Sequence, residues 1–203
     1  MGVLDTFYKK LLLILGAAFT IFFSAIILIM HAPGKYCDFR TWVIRTKSIV
    51  WEQQATLNND DFKIDPSLKN RDRYIAHLGI LYTYEFGTNY KVTSETICNP
   101  HESYMRTHND SIALRTANLE FKVYEIAKRL YMKRFQDSVL FGKDGMKKSE
   151  ILEMIKETEL IKDSLRDNVP CRDNPKFAAN MKAQEMAINE LLRKLPNVRF
   201  LSK

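Results

Sequence analysis

Between Lys10 and His31 the chain reads LLLILGAAFTIFFSAIILIM (Leu11–Met30), twenty consecutive residues without a charge. As a helix this run would extend about 30 Å, close to the hydrocarbon core of one bilayer. Lys9 and Lys10 bound it on one side, and His31, Pro33 and Gly34 on the other. Pro and Gly just past the run are suited to ending a helix. A cleaved signal peptide would carry a shorter apolar region ending in small residues. This run ends in Ile-Leu-Ile-Met, and Ser24-Ala25 lies inside it. The expectation is an uncleaved signal-anchor, with Leu11, Phe19, Phe22, Ile26 and Met30 facing lipid. The opening Met-Gly-Val-Leu-Asp-Thr also fits a myristoylation pattern, which adds little to a chain with its own span.

Orientation rests on the flanking charges. Lys35, Arg40, Arg45 and Lys47 follow the run, against Lys9 and Lys10 before it. Short lysine-bearing tails before a first span stay cytoplasmic, and long C-terminal domains cross largely regardless of charge. The expected location is the bacterial inner membrane, with the N-terminus cytoplasmic and the C-terminal domain periplasmic. A mean hydropathy of −0.26 excludes a polytopic membrane protein. The expected organisation is a tail over 1–10, an anchor over 11–31, juxtamembrane helices with an irregular loop over 32–108, and a helical core over 109–203.

Beyond the anchor the pattern predicts a mainly α protein, a small antiparallel bundle. A first helix is expected over Tyr36–Leu57, with Trp42 near the headgroups. A second is expected to open at Asp65-Pro66, carry Leu68, Ile75, Leu78 and Tyr82, and stop at Gly87. Thr88–Thr107 has no helical period; Tyr90–Thr93 is a candidate short strand, and long loops of this kind are often functional. Asn109 or Asp110 caps a long helix over Ser111–Leu140. Ala117, Phe121, Tyr124, Tyr131 and Phe135 form one apolar face, and Leu119, Val123, Ile126 and Leu130 another. A helix apolar on two sides packs between neighbours. Further helices are expected over Glu150–Asp167 and from Asn174-Pro175 to Leu195, with Gly142–Gly145 as a turn.

The bundle topology brings Cys98 and Cys171 to the same level. They form a candidate disulfide, whose long closed loop would contribute ~4 kcal/mol in the chain-entropy account. Cys37 is left over, free or paired between chains. Net charge is +7, and ten Lys/Arg against five Asp/Glu fall between Arg106 and Lys148. Lys128, Arg129, Lys133 and Arg134 are the candidate basic interaction surface, for an acidic partner or anionic headgroups. The alternative is a pair of complementary solvated helix faces, since the following helix is acidic. Nucleic acid is not expected beside an anchor facing outward. Asn109-Asp110-Ser111 is a glycosylation sequon.

No metal site or cofactor is expected. Cys98, His101 and His108 lack the second tight pair that structural zinc requires. No phosphate loop, nucleophile elbow or dinucleotide fingerprint occurs. Glu102-Ser103 followed by Tyr104 resembles the Glu-Ser pair of lysozyme-like transglycosylases. That resemblance implies peptidoglycan cleavage by one glutamate whose pKa is raised by apolar burial. The Gly-rich segment with Met-Gln that the family carries downstream is absent, and the chain continues His108-Asn109-Asp110-Ser111. The leading expectation is therefore non-enzymatic: an accessory or scaffold subunit of an envelope assembly of secretion, conjugation or pilus type. Its expected partners are the bilayer and other envelope proteins, with oligomers allowed. The second is a phage or mobile-element regulator of lysis or superinfection, and the enzyme comes third.

Overall fold

The computed structural model describes residues 13–24, 33–68, 73–85, 91–140, 148–167, 177–198 and 200–202. The chain divides into two compact units, Met1–Thr46 and Lys47–Lys203.

The first unit holds two helices, α1 (residues 13–24) and α2 (Pro33–Thr46). Pro33 opens α2, where its fixed φ suits a helix start and its missing N–H costs nothing. Among the described residues, no helix is long and apolar enough to cross a membrane. The expected single-pass anchor is corrected on that finding. With it go the inner-membrane location and the periplasmic placement. Phe19 and Phe22 lie on α1, whereas Leu11, Ile26 and Met30 lie outside the described residues.

The second unit corrects the expected helical bundle, because two sheets stand beside its three long helices. Its elements are β1 (Ile49–Val50), β2 (Lys63–Ile64), β3 (Tyr74–Ile75), β4 (Leu78–Glu85), β5 (Lys91–Cys98), β6 (Tyr104–Met105), α3 (Ser111–Leu140), α4 (Lys148–Asp167), α5 (Phe177–Lys194) and β7 (Phe200–Ser202). A 3-10 turn, Asn59–Asp61, precedes β2. The segment expected as a second helix is instead β3 and β4. Its spacing of apolar residues suits either element, and Ile80, Tyr82, Thr83 and Tyr84 favour the pleated one. The stretch expected to be irregular contains β5, where Val92, Thr93, Thr96 and Ile97 are β-branched.

β5 is the middle of the larger sheet. It pairs antiparallel with β4 along its whole length, from Leu78↔Cys98 to Glu85↔Lys91. Its other edge receives β1 at Ile97 and Cys98 and β7 at Lys91, Val92 and Thr93. The smaller sheet places β6 between β2, parallel, and β3, antiparallel. β5 alternates as a half-covered strand should: Val92, Ser94, Thr96 and Cys98 are buried, and the residues between them less so.

α3 has the bounds expected from its capping signal and packs against α4, α5 and the larger sheet. Asp110 Oδ1 accepts the N–H groups of Ile112 (3.2 Å) and Ala113 (3.0 Å), the N-cap bonds that satisfy an otherwise orphaned first turn. Asn109 just before it has φ 63°, a left-handed conformation that Asn tolerates better than most residues. The two apolar faces enter separate clusters. Ala113, Ala117 and Phe121 join Trp51, Leu57, Phe62, Cys98 and Met105. Further along, Tyr131, Met132 and Phe135 join Val92 and Ile151. The other face, Leu119, Val123 and Ile126, meets Met181 and Ile188 of α5. Asn118 clasps the loop at Leu57 with both ends of its amide, accepting Leu57 N–H (2.7 Å) and donating to its carbonyl (3.0 Å).

Candidate functional site

Between the two clusters on the sheet side, α3 turns two charged residues inward. Glu125 and Lys128 are both fully buried. Lys128 Nζ lies 2.7 Å from Glu52 Oε1 and 3.0 Å from Glu125 Oε1, and donates to Asn197 Oδ1 at 3.2 Å. Thr96 of β5 donates to Glu125 Oε2 at 2.8 Å. Arg129 Nε lies 2.8 Å from Glu125 Oε1, while its Nη1 donates to the carbonyls of Leu192 (2.7 Å) and Leu195 (3.1 Å). Two acids and two bases leave the network neutral, the condition under which buried charge is tolerated. It ties β5, the turn after β1, α3 and the end of α5 together. Arg129 also supplies donors to orphaned carbonyls at the negative end of α5.

The expected basic surface is thereby divided. Lys128 is interior and Arg129 nearly so. Lys133 is exposed, and Arg134 pairs with Glu157 of α4. The four cations do not meet on one face; Arg134 belongs to an ion pair between adjacent helices. Arg115 and Glu185 make a second such link, from α3 to α5, through paired 2.6 Å hydrogen bonds. The Arg115 guanidinium holds the Glu185 carboxyl below the usual glutamate value.

Around Cys98 the chemistry is structural. Cys98 is a free, buried thiol. The expected Cys98–Cys171 bridge is therefore corrected; Cys171 lies outside the described residues, as does the side chain of Cys37. Burial pushes the Cys98 pKa up to about 11, against the direction a nucleophilic cysteine needs. Ser103, 3.6 Å from that sulfur, donates to the Asn99 carbonyl (2.7 Å) and accepts the His77 N–H (3.0 Å). It closes the loop between β5 and β6. Glu102 sits 2.6 Å from His77 Nδ1, and both side chains are 59% exposed. A transglycosylase-type acid needs apolar burial, and this carboxylate stands in water. His101 and His108 are exposed. Among the described residues, no group of three or more His, Cys, Asp or Glu is placed to hold a metal ion.

The C-terminal half of α3 contributes a tyrosine cluster that sequence reasoning left in the core. Tyr84 and Tyr131 share a 2.6 Å hydroxyl–hydroxyl bond, and Tyr82 meets Tyr131 edge-on at 4.7 Å. Desolvation pushes the Tyr84 pKa up to about 12. The alternation Tyr82-Thr83-Tyr84 was the available signal, had the segment been read with period two.

Large apolar side chains stand in the open chiefly on α1. Leu13, Ile14, Leu15, Phe19, Ile21, Phe22 and Phe23 are between 50% and 74% exposed. Phe19 and Phe23 lie 4.9 Å apart on successive turns. On α4 and α5 the exposed ones are scattered: Leu152, Leu160, Met186 and Leu191. The class these features define is a two-unit protein: a mixed sheet-and-helix unit with its charges sealed inside, and a helical unit with its apolar side chains outside. No family model, curated protein or solved structure matches the chain.

Proposed function

We propose that this protein is a non-enzymatic accessory or scaffold subunit that binds a partner protein through α1. The observation that carries the reading is the exposure of seven large apolar side chains on that one helix, within residues 13–24. A helix apolar on every side belongs in an interior, and contiguous exposed apolar surface of this kind marks an interaction site. The partner is a protein offering an apolar groove, entered by helix-in-groove packing with Phe19 and Phe22 as anchors. The sealed network around Glu125 and Lys128 supports the same reading. It spends the polar residues of α3 on holding the second unit rigid.

The test is the native mass of the full chain purified under mild conditions from the cells that make it, beside a Phe22→Glu variant. The proposal expects a stoichiometric heterocomplex for the wild-type chain and its loss in the variant, because a carboxylate in an apolar groove is desolvated without a partner. Identical monomer masses for both chains contradict it.

A further inference from the structure

We draw no further inference here: the strongest candidate, the surface patch of α2 where the exposed rings of Phe39 and Trp42 lie 5.9 Å apart, carries nothing because nothing in the structure shows what covers it.

Discussion

Lys128 and Lys133 sit on the same helix five residues apart, and their neighbours in the sequence are nearly alike. One is fully buried among Glu52, Glu125 and Asn197; the other faces solvent. Removing one partner from a buried charge network leaves the other charges uncompensated, at a cost of about 3–5 kcal/mol. Lys128→Met is expected to lose that much in urea unfolding, while Lys133→Met should stay within about 0.5 kcal/mol of wild type. Equal losses would remove the network from the account. Nothing in the charge count could separate the two lysines. The usable signal was positional: Glu125 and Lys128 fall on the apolar stripe between Phe121 and Met132, where a solvated face has no place. Cys98 gives a second residue-scale outcome. Its thiol is held neutral in the fold up to about 11 against an ordinary 9.0. Stability from this group is thus complete below about pH 9, where the unfolded thiol is also neutral, and falls as pH rises through the folded value. Cys98→Ala is expected to flatten that alkaline decline in urea titrations run from pH 8 upward.

At the scale of elements, α3 was readable because three signals agreed: a cap at Asp110, thirty residues without Gly or Pro, and two apolar faces. Asp110→Ala removes both N-cap bonds and the 2.9 Å contact with Arg73. It is expected to cost about 1–2 kcal/mol, measured by thermal or urea unfolding. The link from α3 to α5 carries its own pH signature. The Arg115 partner lowers the Glu185 pKa, so its contribution is present above the ordinary value of 4.5 and is lost as pH falls through the folded value. Arg115→Ala is expected to reduce the acid sensitivity of the fold below pH 5. β4 and β5 were not readable by the same means. Leu78 and Tyr82 satisfy a helical spacing and a strand face alike, and pairing with β5, in the stretch Thr88–Thr107 expected to be irregular, decides between them. The side of β5 that meets α3 is also polar at Ser94 and Thr96. An apolar-polar alternation was therefore absent where a strand pattern would have shown.

For the whole molecule, the division falls at Thr46. Beyond it, β5 gathers β1, β4 and β7 from three separate parts of the chain, and α3 lies across that sheet with α4 and α5. Before it, residues 13–24 of the apolar run that dominates the sequence are helical, with seven large side chains exposed. The run was legible as an unusual surface; what covers it was not, because lipid and an apolar protein groove select the same residues. The chemistry expected near Glu102 was equally open in the sequence, and 59% exposure beside His77 is what distinguishes it from a buried catalytic acid. The most direct measurement of the binding role is photo-crosslinking in the cells that make the protein, with a photoreactive residue at Phe22 and a control at the exposed Lys182 of α5. The account predicts one discrete protein adduct at Phe22, of constant mass and absent from the control. No adduct at Phe22, or the same adducts at both positions, would contradict it.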